Sequence, residues 1–284
     1  MERTGTLDWN TFIPVWSRIV RRIVLGDSAR KDHELTDLLV RLRGMANWSL
    51  LHPTRRDLRE EFLQRLRVQL HRAEPGSLAE ANAKTPKNPE THPEEQVPQW
   101  LFAFDPAGMA TFRALALLAS HPTELAAVAA ELRGRDLATP QDLPGLRAAV
   151  LESVRLWPTT PAILRETTTT TELGGRTLQA KTLVVVLAPF FHRDDERLPY
   201  ADHFTPGIWQ GGTAHASGSL VPFSAGPAVC AGQNLVFFLA STLLASLLER
   251  HDLRLTSEPR LYPGRRLPGT LSPFGLRFSF SPHP

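Results

Sequence analysis

The sequence predicts a mainly α fold with small β-sheets, and three features carry that expectation. Apolar residues recur at three- and four-residue spacing through most of the first 157 positions, the period of helices with one buried face. After Pro158 the character changes to β-branched runs around a Gly174-Gly175 turn, which read as strands. Near the end an apolar run, 235–248, is long enough for a buried helix. At 284 residues the chain is long enough for one large domain or two small ones, and a single domain over 1–284 is expected. Hydrophobic residues at 42% and charged ones at 21% suit a globular core. A formal charge of +3, with no basic tract interleaved with aromatics, argues against a nucleic-acid partner. One cysteine excludes an internal disulfide framework. The N-terminus, MERTGTLDWNTF, lacks the apolar region of a signal peptide. No continuous run reaches the 18 or so apolar residues of a membrane span. The expectation is a soluble, cytoplasmic protein without a membrane partner.

In chain order, 7–27 reads as a helix with Phe12, Val15, Trp16, Ile19, Ile23 and Val24 on its apolar face and Gly26 as its C-cap. Segments 35–45 and 58–70 repeat the pattern, separated by His52-Pro53-Thr54. The stretch 75–98 holds five prolines and little apolar content, and is expected to be a connector. A long helix follows over 97–120, apolar almost all round and hence buried. Inside it lies Phe104-Asp105-Pro106-Ala107-Gly108, where a proline removes a helical hydrogen bond at a cost of about 3 kcal/mol and a carboxylate needs a partner. Such local violations gather at functional sites; the alternative is a helix that starts at Pro106 with Asp105 as its N-cap. Helices are expected over 123–134 and 143–157, strands over 167–171 and 178–187, irregular chain over 194–219 and a strand over 271–280.

Cys230 stands where a loop of small residues and prolines, VPFSAGPAV, feeds the 235–248 helix. Main-chain N–H groups and the positive end of a helix dipole favour a thiolate there, suited to a metal ligand or a nucleophile. The alternative is a buried structural cysteine. Upstream, Glu152 and Arg155 lie at i and i+3 on one helix face, flanked by Val150, Leu151, Leu156 and Trp157. Beyond them come Pro161 and Arg165, then His192-Arg193-Asp194, then Phe204, Pro206 and Trp209.

The spacing Phe223, Gly226, Cys230, Gly232 resembles the haem-ligand loop F-x-x-G-x-[RH]-x-C-x-G of the haem-thiolate monooxygenases, the cytochromes P-450. Glu152 and Arg155 resemble that family's E-x-x-R, Pro161 and Arg165 its P-x-x-x-R, and the later segments its H-R-D and aromatic–Pro stretches, all in the family's order. The resemblance covers 96–284 and, less specifically, the helices of 1–74, which resemble the family's E to G. It implies a cytochrome P-450 fold lacking the usual N-terminal part (helices E to L plus the C-terminal sheets), with 75–98 as connector and 99–284 as haem-binding core.

The resemblance further implies haem b (iron protoporphyrin IX) as cofactor and a small organic substrate. It implies a ferredoxin or flavoprotein reductase as electron donor, since no nicotinamide or flavin fingerprint such as G-x-G-x-x-G occurs. By that resemblance Cys230 is the iron ligand and Phe223, Gly226 and Gly232 shape its loop. Arg165, with His192 second, pairs with a haem propionate; Ala103, Pro161 and Ala162 line the substrate side; Asp105 relays protons. Three departures stand out. Ala228 replaces the Arg or His of the loop, Gly207 and Ile208 follow Pro206 where an arginine usually completes the Glu–Arg pair, and Pro106 takes the place of a threonine. A truncated or degenerate family member that binds haem poorly or not at all and is not catalytic is one rival. A hydrolase built on Ser224 or Cys230, and a metal site from His192, Asp194, Asp195 and His203, are others.

Overall fold

The computed structural model describes residues 4–46, 55–86, 88, 90, 95–216 and 218–283. The break at His52-Pro53-Thr54 lies outside them. Its elements fall into two compact units, one of residues 10–108 and one of residues 1–9 with 109–284.

The 10–108 unit is helical. Helix α1 (Trp9–Leu25) ends at Gly26, whose φ of +106° and N–H bond to the Arg22 carbonyl (2.8 Å) make it the expected C-cap. Phe12, Trp16, Val20 and Val24, four apart, are buried with Arg21 and Leu25 beside them; Val15 is exposed. Helices α2 (His33–Ala46) and α3 (Arg56–Arg72) pack together through Leu35, Leu38, Leu58, Phe62 and Leu66. The expected connector 75–98 contains a helix, α4 (Leu78–Lys84). Its N-cap Ser77 accepts the Glu80 N–H (3.1 Å), and the Glu80 carboxylate reaches back to the Gly76 N–H (2.8 Å). Helix α5 (Gln96–Ser120) runs unbroken through Asp105 and Pro106, so Asp105 is not an N-cap. By length and composition alone α5 could cross a membrane; two thirds of its most apolar stretch is buried in the protein.

The second unit holds α6 (Pro122–Leu132), α7 (Pro144–Leu156), the short α8 (Ala188–His192), the single turns α9 (Gly207–Gln210) and α10 (Thr213–Ala216), and α11 (Gln233–Leu248). Helices α9 and α10 of the expected irregular stretch, and α8 before it, are too short to show a period. Buried α7 packs on α11 and on α9. Three antiparallel sheets accompany the helices. Strands β2 (Ala162–Glu166) and β5 (Leu183–Leu187) form one; β3 (Thr171–Leu173) and β4 (Arg176–Leu178) form the hairpin at Gly174-Gly175. The third is ordered β1 (Gly5–Asp8), β7 (Arg277–Pro282), β6 (His251–Leu255).

Strand boundaries differ from expectation in several places. The expected strand 178–187 is divided, β4 ending at Leu178 and β5 beginning at Leu183. The expected strand 271–280 begins only at Arg277, after a helical turn over Pro273–Gly275. The threonine run 167–171 is largely turn, because the Thr167 hydroxyl bonds the Gln179 carbonyl (2.6 Å) and the Thr171 hydroxyl the Thr169 carbonyl (2.9 Å). Residues 5–8 form a strand instead of the helix start, because central β7 offers them a ladder from the far end of the chain. Trp9 and Phe278 both meet Phe112 edge to face, with centroids 5.7 and 5.1 Å away.

Candidate active site

Helix α7 supplies the buried centre of the second unit. Glu152 and Arg155 are fully buried. They face each other in a two-pronged pair, Nε to Oε1 at 2.6 Å and Nη2 to Oε2 at 2.8 Å. Two buried charges are tolerable only if every remaining donor and acceptor is met. Arg155 donates to the main-chain carbonyls of His192 (2.9 Å), Ala201 (2.8 Å), Tyr200 (3.3 Å) and His203 (2.8 Å). Glu152 accepts the Thr205 N–H and the Trp209 indole N–H, each at 2.9 Å. The indole thus fills the place where the family pattern has an arginine. Expected main-chain partners for the pair are found, and Trp209 is an additional one that reading for charge overlooks.

Around this pair the chain 194–220 is cross-tied. Arg193 donates to Asp202 (2.7 Å) and to the carbonyls of Leu267 (2.8 Å) and Pro268 (2.7 Å). Arg266 pairs with Asp202 and with Asp195 (2.8 Å). Burial opposes ionisation of Asp202, but hydrogen bonds from Arg193 and Arg266 outweigh it and hold its carboxyl below the ordinary range. A small apolar cluster of Leu198, Ala201, Ile208, Ala214 and Leu220 completes the packing, and Leu220 delivers the chain to the cysteine loop.

That loop is a series of tight turns. Ser224 N–H bonds the Val221 carbonyl (2.9 Å), Val229 N–H the Gly226 carbonyl (3.1 Å), and Cys230 N–H the Phe223 carbonyl (2.9 Å). Gly226 has a φ of +61°, which a side chain would strain; Ser224 takes a similar φ of +65°. Gly232, at φ −88°, has no such need. The Phe223 ring meets Phe237 of α11 edge to face, centroids 4.9 Å apart. Every residue from Ala225 to Ala231 is exposed, so Cys230 is not a buried structural cysteine.

Arg165 lies exposed on β2. Its guanidinium bonds only the neighbouring Leu164 carbonyl (2.9 Å) and has no carboxylate partner among the described residues. Exposed apolar side chains on this unit include Leu164, Leu183, Val185 and Leu187 of the β2–β5 sheet, Phe190 of α8, and Val229 beside the cysteine. A single thiol on a rigid loop, an uncommitted guanidinium and bare apolar surface are the donor set that a flat apolar ring system with carboxylate arms and an open axial position requires. The residues present therefore fit a haem.

His192 does not serve that set. It is 1% exposed, and its Nε2 accepts the Val221 N–H (3.1 Å), so the ring faces inward and cannot meet a propionate. Burial and the neighbouring Arg155 charge lower its pKa to about 4. Among the described residues no group of three or more His, Cys, Asp or Glu could hold a metal. No strand leads into Ser224, as a nucleophile elbow would need; the nearest upstream strand is β5.

In the 10–108 unit, Asp105 is partly exposed and forms an ion pair with Arg43 of α2. The Arg43 guanidinium also lies 4.4 Å from the Phe102 ring centre. Asp105 is therefore a carboxylate held by an ion pair. Ala103 is exposed one turn-face away. Trp16 donates its indole N–H to the Phe104 carbonyl (2.9 Å), and a Cβ on Gly108 would stand 2.9 Å from that nitrogen.

Comparison with known proteins bears on the family and the fold. The family model described as Cytochrome P450 matches residues 62–269. A cyclooctat-9-en-7-ol 5-monooxygenase of Streptomyces melanosporofaciens is 37% identical over 147 residues, 49% of this chain and 32% of that protein. Drimenol monooxygenase of Persicaria hydropiper is 31% identical over 153 residues, 50% of this chain and 30% of that protein. Among solved structures, the cytochrome P450DA heme domain superposes with a TM-score of 0.77 at 18% identity, covering 99% of this chain and 69% of that one. A zebra fish cytochrome P450 gives 0.71 at 20% identity, covering 99% and 72%. The chain spans about a third of the length of the curated relatives it matches.

Proposed function

Because the chain belongs to the cytochrome P450 family, matched over residues 62–269, we propose that it provides the haem-binding part of a monooxygenase. The reaction inserts one oxygen atom from O2 into a small organic molecule, with electrons from a separate ferredoxin or flavoprotein. The observation that carries this reading is the exposed Cys230 thiol on a turn-locked loop, Cys230 N–H to Phe223 carbonyl at 2.9 Å. The cofactor is haem b, which when bound supplies the reductive activation of O2 that no side chain can provide.

Each residue's part follows from its place. Cys230 would hold the haem iron through its thiolate, and Gly226 permits the positive φ that the loop's turn needs. Arg165 neutralises a propionate by charge-assisted hydrogen bonds, worth about 1.5–3 kcal/mol. Phe223, steadied by Phe237, gives an apolar wall. Pro161 and Ala162, exposed at the start of β2, line the substrate side. Asp105, ion-paired with Arg43, keeps the expected part of proton relay. Two relatives bear names of monooxygenases acting on alcohols, which makes an organic alcohol the first substrate class to try.

A non-catalytic haem binder is the second reading. It is favoured by Pro106, which brings neither hydroxyl nor N–H to α5 beside the paired Asp105. The test is to add haem to the purified chain, remove the excess, and supply ferredoxin, reductase and 18O2. Haem retained at one per chain with labelled product supports the monooxygenase. Retained haem without labelled product supports the second reading, and a chain that retains no haem contradicts both.

A further inference from the structure

The cysteine loop is tied to the buried Glu152–Arg155 pair through one side chain, and that side chain is an expensive one. His192 ends α8, so its carbonyl is free of helical bonding and accepts from Arg155 Nη1 at 2.9 Å. Its ring turns the other way, and Nε2 accepts the N–H of Val221 at 3.1 Å. Val221 is the first residue of the loop, directly after Leu220 is anchored in its apolar cluster. From there the Val221 carbonyl takes the Ser224 N–H, and the Phe223 carbonyl takes the Cys230 N–H.

With Nε2 accepting, the ring proton sits on Nδ1, and Nδ1 is buried with no partner among the described residues. A buried, unpaired N–H is a net cost that a phenylalanine of similar size would avoid. What the imidazole alone provides at this position is an acceptor at the distance of Nε2. We infer that His192 is a positioning residue. It hangs the cysteine loop from the Glu152–Arg155 pair, so that the buried charges fix where Cys230 presents its sulfur. This rests on the proposal that Cys230 is a haem ligand, and it goes beyond it by naming what orients the ligand. The low pKa agrees, because a ring that stays neutral keeps Nε2 as an acceptor at ordinary pH.

The experiment uses the full chain in two readouts. The first, hydrogen exchange of the Val221 and Cys230 amides, needs no haem. The second is the long-wavelength Soret band of the reduced CO complex after haem addition. In His192→Phe the Val221 amide should exchange about tenfold faster or more, with Cys230 following, while core amides of α7 and α11 hold their rates. The thiolate band should fall several-fold. His192→Gln, whose amide oxygen reaches the Nε2 position, should restore both readouts, and His192→Asn, too short, should restore neither.

If His192→Phe does not fold, Val221→Pro removes the same hydrogen bond from the loop side and should loosen Cys230 alike. A parent protein with a thiolate band, whose His192→Phe form matches it in both readouts, overturns the inference and leaves the haem reading intact. A parent without that band, but with the exchange pattern above, overturns the haem reading and supports the tie between His192 and the loop.

Discussion

Glu152 and Arg155 have no exposed surface, and six neighbouring groups satisfy them: four carbonyls, one main-chain N–H and the Trp209 indole. Arg155→Ala leaves a buried carboxylate unpaired and should cost about 3–5 kcal/mol in denaturant unfolding. Trp209→Phe keeps most of the apolar area but deletes one hydrogen bond to a charged acceptor, so the expected loss is about 1.5–3 kcal/mol. His192 gives a pH signature. Its pKa falls from 6.5 to about 4 on folding, so the unfolded chain binds the extra proton between those values. Stability is therefore full above pH 6.5, declines as pH falls to about 4, and loses about 3 kcal/mol from this residue over that window. His192→Gln should flatten that part of the slope, leaving the smaller share of His121, which burial also lowers. Glu152, Arg155 and Cys230 were legible because their spacing is local. Trp209 and the inward turn of His192 were not, since an indole standing in for a guanidinium, and a ring pointing away from solvent, leave no mark on a one-dimensional pattern.

Helix α5 keeps Pro106 in its interior, and one turn of it is shaped around Trp16. Gly108 lies where the indole comes within 2.9 Å of a would-be Cβ, and the rigid ring cannot swing clear without losing its bond to the Phe104 carbonyl. Gly108→Ala, ordinarily favourable in a helix, should here destabilise by about 1–3 kcal/mol. Trp16→Phe in the same chain should recover part of that loss, and additive effects in this double-mutant cycle would contradict the contact. Helices α1, α2 and α3 were readable because a 3.6-residue period persists over several turns, and α5 because a long stretch apolar almost all round reads as a buried helix. Strand β1 was not, because its reason for being a strand is a partner some 270 residues away. Helix α4 was readable in principle: Ser77 and Glu80 form a capping signal that the surrounding prolines obscured.

At the scale of the whole molecule, the described residues form two units, and the groups that would hold haem all lie in the one made of residues 1–9 and 109–284. In that unit the buried Glu–Arg pair, the cross-ties of Arg193 and the cysteine loop follow one another from α7 to α11. It was the order of motifs, more than any single match, that made the site visible in the sequence. What the motif order could not convey was which groups are spent on structure and which are left uncommitted. Arg193 is consumed by Asp202 and three carbonyls, whereas Arg165 has no carboxylate partner among the described residues. The central claim is that Cys230 binds haem iron as a thiolate, and the reduced CO spectrum of the haem-loaded chain tests it most directly. The account predicts the long-wavelength Soret band in the parent and its loss in Cys230→Ala; a parent spectrum of histidine type, or one unchanged by Cys230→Ala, would contradict it.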